Sequence, residues 1–229
     1  MNSLFVISLP RSLSSLIYHA SRLALELNEP IWTSDGEIMN NDRFIFYKGP
    51  TDDSGIKFTR TEKEPEIFRR LTAFLSEVVI PEGFVYKDVV HPFVVSEWLS
   101  LTGLRALKIK RDLTDVCYSM LKMGWHYPAQ AAEGGQNIED SIIEGLTRAM
   151  KVIDSVPGEV VDYDDLIRDE DALLEALIRL YPKERINKVR FIDEDFRQET
   201  DKIIERRETS LYQSLERKIR EKSLEVAGA

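Results

Sequence analysis

The N-terminal stretch of the chain places an apolar strand directly before a helix. Leu4–Leu9 is a short apolar run that ends at Pro10 and Arg11, and a helical spacing of apolar residues begins at about Ser15. Strands without polar alternation are typical of parallel sheets that helices cover on both faces. This stretch therefore favours an α/β fold, in which parallel strands alternate with helical crossovers.

The same alternation continues along the chain. Further strands are predicted at 84–87, 106–110 and 159–162, and helices at about 14–28, 65–79, 92–103, 112–123, 137–155, 165–181 and 195–226. Two alternating segments, 43–48 and 56–60, enclose a stretch of turn formers and predict a β-hairpin or flap. We therefore expect one domain over 1–229 with a mostly parallel central sheet flanked by helices. It would carry a flap insertion at about 43–60 and a long C-terminal helix at about 195–226, which packs on the domain or forms a dimer contact.

Composition limits where an anion could bind. The formal net charge is −9, so the surface as a whole does not favour nucleic acid, and any anion site has to be local. The single cysteine, Cys117, permits no internal disulfide and fits a reducing compartment. No apolar run reaches the roughly 18 residues of a membrane span. We therefore expect a cytoplasmic protein without a membrane span.

The loop after the first strand has the chemistry of a phosphate site. A helix start presents backbone N–H groups and partial positive charge, Arg11 adds a fork of donors, and Ser12, Ser14 and Ser15 add hydroxyls. The Walker pattern with its lysine is absent, which argues against an ordinary ATPase or GTPase. The alternative is that Ser14 or Ser15 caps the helix and Arg11 is solvated.

A second strand, loop and helix repeat this arrangement at 106–125. Arg111 follows the strand, Asp112 and Thr114 suit a helix start, and Ser119 lies eight residues after Arg111. Eight residues are about two helical turns, so Arg111 and Ser119 could reach one anion. The alternative for Arg111 is an ordinary salt bridge.

Together the two stretches resemble the sulfotransferase family, which uses 3'-phosphoadenosine 5'-phosphosulfate (PAPS). The first family signature is a strand followed by P-[RK]-[ST]-G-[ST]-[ST], and residues 10–15 read PRSLSS. The second is a strand followed by R-D-P-x-D-x-x-x-S, and residues 111–119 read RDLTDVCYS. Two weaker family segments match FVYKD at 84–88 and the segment 160–177. The order and spacing agree over roughly residues 4–181. The chain departs from the family at Leu13, which replaces glycine, and at Leu113, which replaces proline.

The resemblance implies a division of roles among these residues. The loop residues Arg11, Ser12, Leu13, Ser14 and Ser15 would hold the 5'-phosphosulfate, whereas Arg111 and Ser119 would hold the 3'-phosphate. Arg11 would also stabilise the leaving phosphate, and Lys87 would support the acceptor or a catalytic carboxylate, unless it only forms a salt bridge. The general base would be Glu37 or His91. A Cβ at Leu13 would crowd the phosphate or demand an unusual backbone angle.

The expected function is sulfuryl transfer from PAPS to a hydroxyl or amine in a P-loop-like fold. The acceptor would be a carbohydrate, lipid or small metabolite, the product adenosine 3',5'-bisphosphate, and no metal would be needed. Trp125 and the two residues after it could line the acceptor pocket, and Lys188, Arg190 and Arg197 lie where the family often closes a basic loop. A homodimer is possible. Two alternatives stay open: an ATP-dependent small-molecule kinase, and a nucleotide-binding protein without catalysis.

Overall fold

A computed structural model describes residues 3–28, 39–40, 43–45, 55–57, 69, 72–73, 82–89, 95–125 and 137–227. In these ranges the strands are β1 (Leu4–Ser8), β2 (Met39–Asn40), β3 (Arg43–Ile45), β4 (Gly55–Lys57), β5 (Val85–Asp88), β6 (Arg105–Lys110) and β7 (Glu159–Asp162). Four of them form a parallel sheet in the order β5-β1-β6-β7. The predicted parallel strands begin or end within one residue of the observed ones.

Helices of the described ranges cover both faces of this sheet. They are α1 (Ser14–Leu25), α2 (Val95–Thr102), α3 (Leu113–Met123), α4 (Ile138–Ser155), α5 (Tyr163–Leu166), α6 (Asp171–Leu180), α7 (Glu194–Arg206) and α8 (Ser210–Ala227). One apolar cluster joins the sheet to α1 and α6, and a second joins it to α2, α3, α4 and α8. The predicted α/β class, with a parallel sheet between two helical layers, is therefore confirmed. In the described ranges no helix combines the length and the apolar character that a bilayer crossing requires.

Strand β1 shows why the sheet needs both layers. Leu4 and Val6 are buried among residues of α1 and α6, whereas Phe5 and Ile7 are buried on the opposite face. Successive side chains of a strand point to opposite faces, so an apolar run of this kind is stable only when both faces are covered. Each of these side chains contributes about 1.5–3 kcal/mol through burial.

A separate antiparallel sheet lies in the region of the predicted flap. Its strand order is β2-β3-β4, and Arg43 pairs with Lys57 while Ile45 pairs with Gly55. The described strands cover residues 43–45 of the predicted segment 43–48 and residues 56–57 of the predicted segment 56–60. The predicted helix at 65–79 lies mostly outside the described residues.

The C-terminal region differs from the prediction of one helix at 195–226. It forms two helices, α7 and α8, because Thr209 begins a new helix: its Oγ1 accepts a hydrogen bond from the Tyr212 N–H at 3.3 Å. Threonine is a favoured N-cap because its hydroxyl satisfies a backbone donor that has no partner inside the helix. The predicted helix at 165–181 also divides, since the Asp169 carboxylate accepts from the Asp171 N–H at 2.9 Å.

Candidate functional site

The candidate site lies at the carboxyl edge of the parallel sheet, where β1 and β6 are neighbours. From β1 the chain passes through α1 and returns to the sheet in β5, on one side of β1. From β6 it passes through α3 and α4 to β7, on the opposite side. Neighbouring strands whose connections diverge in this way leave a crevice beyond their carboxyl ends, which is where α/β proteins bind ligands. The loops that follow β1 and β6 line this crevice.

The loop after β1 has an unusual backbone. Arg11 has φ 63° and Leu13 has φ 59° with ψ 19°, whereas Ser12 between them is not in the positive-φ region. An alternation of this kind turns successive N–H groups toward one concavity, which favours an anion. Leu13 therefore has the unusual, left-handed backbone that was expected for a leucine at a position where glycine is usual.

Helix α1 begins directly after this loop without a side-chain cap. Leu13 is the N-cap residue, and no side chain accepts from the first turn in the described structure. The Ser12 hydroxyl turns inward and donates to the Pro10 carbonyl at 3.4 Å. Capping by Ser14 or Ser15 is therefore not the arrangement observed. The N–H groups of the first turn add to the positive potential of the concavity.

The loop after β6 places Arg111 beneath the first loop. Arg111 is buried, its Nη1 donates to the Arg11 carbonyl, and its guanidinium lies 4.1 Å from the centroid of the Tyr163 ring. Its Nε is also buried and finds no hydrogen-bond partner in the described part of the chain. Burial lowers the pKa of Arg111, and Tyr163 and Asp115 partly offset this effect. A buried cation with an unused donor suits an anionic ligand.

Helix α3 holds Ser119 against the first loop. Asp112 caps this helix by accepting from the backbone N–H groups of Thr114 and Asp115 at 2.8 and 3.3 Å. Two turns further on, the Ser119 hydroxyl accepts from Arg11 Nε at 3.2 Å. The guanidinium of Arg11 also lies 5.8 Å from the ring centroid of Trp125, which is exposed. The two sequence motifs, about 100 residues apart, therefore meet directly.

Lys87 reaches the site from the end of β5. It is buried, and its Nζ donates to the Ser15 hydroxyl at 2.8 Å. Because β5 is parallel to β1 and adjacent to it, the ends of both strands meet at the same edge of the sheet. Lys87 thus brings an ammonium group to the first turn of α1.

A group of residues that sequence reasoning missed surrounds Arg111. Arg207, between α7 and α8, binds the buried carboxylate of Asp115 at 2.5 Å and that of Asp164 at 3.0 Å. Hydrogen bonds to Asp115 and then Asp164 raise the pKa of Arg207. The sequence signal was Asp115 in the first turn of the helix that follows Arg111, because a carboxylate on a buried face needs a cationic partner.

The remaining site predictions differ in their outcome. Glu37, His91 and the two residues after Trp125 lie outside the described residues, so the choice of general base stays a prediction. Lys188 pairs with Asp171 at 2.5 Å. The part of the chain that the structure describes brings together the predicted cofactor residues Arg11, Ser12, Leu13, Ser14, Ser15, Arg111 and Ser119, with Lys87 beside them.

Solved structures similar to this fold include sulfotransferases. One is a sulfotransferase domain from the curacin biosynthetic pathway, with 14% identity, a TM-score of 0.46, and coverage of 84% of this chain and 75% of that chain. Another is a sulfotransferase from Alicyclobacillus acidocaldarius, with 12% identity, a TM-score of 0.36, and coverage of 87% and 90%. No protein-family model and no curated protein sequence matches the chain.

Proposed function

We propose that the protein is a PAPS-dependent sulfotransferase. The observation that carries the proposal is the contact between the two anion-binding motifs: Arg11 donates to Ser119, and Arg111 donates to the Arg11 carbonyl. The left-handed loop and the start of α1 then lie beside two guanidinium groups. A nucleotide with phosphate groups at both its 5' and 3' positions fits this donor set better than one with a single phosphate chain.

The residues present suit the two ends of such a nucleotide. The backbone of Arg11–Ser15 and the first turn of α1 would hold the 5'-phosphosulfate, since both present N–H groups. Arg111 and Ser119 would hold the 3'-phosphate, and the Arg111 guanidinium would supply positive charge to it. The side chain of Arg11 reaches Ser119, so Arg11 would link the two halves of the site.

Catalysis would depend on positive charge at the leaving phosphate. PAPS supplies an electron-poor sulfuryl group and a phosphate leaving group. Lys87 Nζ and the Arg11 guanidinium would stabilise the negative charge that this phosphate gains, and preorganised charges of this kind lower a barrier because they need no reorientation. Glu37 or His91 would accept the proton of a hydroxyl or amine acceptor. A carbohydrate, lipid or small metabolite is the proposed acceptor class, and no metal is required.

Calorimetric titration tests the nucleotide assignment. The wild-type protein is titrated with adenosine 3',5'-bisphosphate and, separately, with ADP. We expect at least tenfold tighter binding of the bisphosphate and a loss of most of this preference in Ser119→Ala, because one charge-assisted hydrogen bond contributes about 1.5–3 kcal/mol. Ser155→Ala is the matched control, since Ser155 bonds to the backbone of its own helix.

The outcomes separate the proposal from its alternatives. Equal or weaker binding of the bisphosphate relative to ADP contradicts it, and magnesium-dependent binding of ATP would then favour a kinase. Preference for the bisphosphate without sulfuryl transfer to any member of an acceptor panel would favour a binding protein without catalysis.

A further inference from the structure

Asp115 is a buried carboxylate beside the arginine that is proposed to hold the 3'-phosphate. It lies in the first turn of α3, and its Oδ2 is 3.9 Å from Arg111 Nε. Both side chains are almost completely buried. Opposite charges at this distance attract strongly where water is excluded. Without another cationic partner, the Asp115 carboxylate would pair with Arg111 and compete with a phosphate for the Arg111 guanidinium.

Arg207 binds the same Asp115 carboxylate. Its Nη2 donates to Asp115 Oδ2 at 2.5 Å, and its Nε donates to Asp115 Oδ1 at 3.3 Å. Both carboxylate oxygens therefore accept from one guanidinium, which is the favoured bidentate geometry. The same Nη2 also donates to Asp164 Oδ1 at 3.0 Å. Arg207 thus engages two acids, one in α3 and one in α5.

This pairing leaves the charge of Arg111 available. Arg111 keeps a buried Nε without a hydrogen-bond partner in the described ranges, while Tyr163 fixes its guanidinium plane from one face. The closest oxygen of Asp115 is 2.5 Å from Arg207 but 3.9 Å from Arg111. The Asp115 carboxylate is therefore hydrogen-bonded to Arg207, whereas its distance from Arg111 is too long for a hydrogen bond.

We propose that Arg207 is a positioning residue that sets the affinity for the 3'-phosphate by holding the Asp115 carboxylate away from Arg111. This inference rests on the proposed function. Arg207 acts through Asp115 and does not itself contact the nucleotide. A C-terminal turn between α7 and α8 thereby contributes to a site built from loops that follow β1 and β6.

The test is a double-mutant comparison by calorimetry with adenosine 3',5'-bisphosphate and ADP. Arg207→Gln should weaken binding of the bisphosphate by about tenfold and leave ADP binding unchanged, because only the 3'-phosphate depends on Arg111. Adding Asp115→Asn to Arg207→Gln should restore bisphosphate affinity, since the competing carboxylate is gone. Arg206→Gln is the matched control, because Arg206 is the exposed neighbour with the same charge.

A second comparison covers the case in which Arg207→Gln does not fold, because a buried carboxylate without its partner destabilises a protein. Asp115→Asn and the double variant both lack this carboxylate. They should bind the bisphosphate equally, because Arg207 matters only through Asp115. Weaker binding by the double variant overturns the inference, because Arg207 then acts through Asp164 or through direct contact with the nucleotide.

The remaining outcomes are also decisive. A parallel loss of bisphosphate and ADP affinity in Arg207→Gln, without rescue by Asp115→Asn, overturns the inference in favour of a structural role. Unchanged preference in Arg207→Gln overturns it while the proposed function stands. A wild-type protein that shows no preference for the 3'-phosphate overturns both.

Discussion

Replacement of Leu13 measures the strain in the loop after β1. Leu13 has a left-handed backbone, φ 59° and ψ 19°, and this conformation costs a residue with a Cβ roughly 1–2 kcal/mol. Leu13→Ala and Leu13→Gly both remove the same partly buried side chain, so the packing loss cancels when they are compared. Glycine relieves the backbone strain but loses about 0.4–1 kcal/mol through the greater freedom of its unfolded chain. We therefore expect Leu13→Gly to be more stable than Leu13→Ala by about 0.5–1 kcal/mol.

Leu16 provides a matched control three residues further on. It lies inside α1 with an ordinary helical backbone. There Leu16→Gly should be less stable than Leu16→Ala by about 0.5–1 kcal/mol, because glycine is unfavourable in helices. The sign of the difference between alanine and glycine should therefore reverse between the two positions.

Urea denaturation followed by circular dichroism is the assay. For a chain of this size, 1 kcal/mol corresponds to a shift of roughly 2–4 °C in the melting temperature, so thermal unfolding gives an independent check. If Leu13→Gly is less stable than Leu13→Ala, as expected at Leu16, the loop does not store the strain that its φ angle implies. A change in the slope of the urea transition would indicate an altered unfolded state instead.

Four further predictions concern catalysis, the thiol and the C-terminal turn. For the proposed sulfuryl transfer, Lys87→Met should lower the single-turnover rate by about 10²-fold, because a preorganised cation acts mainly in the transition state; a change confined to KM would contradict this. Burial raises the pKa of Cys117 to about 12, so Ellman's reagent at pH 8 should react only at the unfolding rate, and faster labelling would refute the burial. Because the unfolded thiol ionises near pH 9 while the folded thiol stays protonated, Cys117→Ala should reduce the loss of stability as the pH rises above that value. Thr209→Ala should lower the free energy of unfolding by about 1 kcal/mol and Thr209→Ser by less, since serine retains the cap; equal losses would exclude capping as the cause.

The parallel sheet was predictable because its signal is local. Leu4–Ser8 has the predicted bounds, since a strand buried on both faces is a continuous apolar run. The edge strand Glu159–Asp162 also has the predicted bounds, although only Val161 in it is buried. The two candidate anion-binding motifs could be found for the same reason: each follows a strand and begins a helix. Their meeting at one edge follows from the parallel arrangement of the strands.

The parts that were missed depend on single hydrogen bonds or on distant charges. At the break between α7 and α8, a threonine hydroxyl caps the new helix. The periodicity of apolar residues continues through this position and does not indicate the break. The pair formed by Asp115 and Arg207 joins residues 92 positions apart. In a chain with 31% charged residues, spacing alone does not select one arginine as the partner of one buried acid.

The position of Arg207 in the sequence also determines when the candidate site becomes complete during synthesis. The ribosome makes the loop at Arg11 first and the helix carrying Ser119 much later, and Arg207 emerges after every other described residue of the site. A nascent chain that already contains the sheet therefore still lacks the partner of Asp115. By the proposed role of Arg207, a chain that lacks it binds adenosine 3',5'-bisphosphate about tenfold more weakly than the finished domain, so this ligand would stabilise the finished domain more. A ligand of the proposed site would then protect the finished protein from degradation more than it protects its precursors.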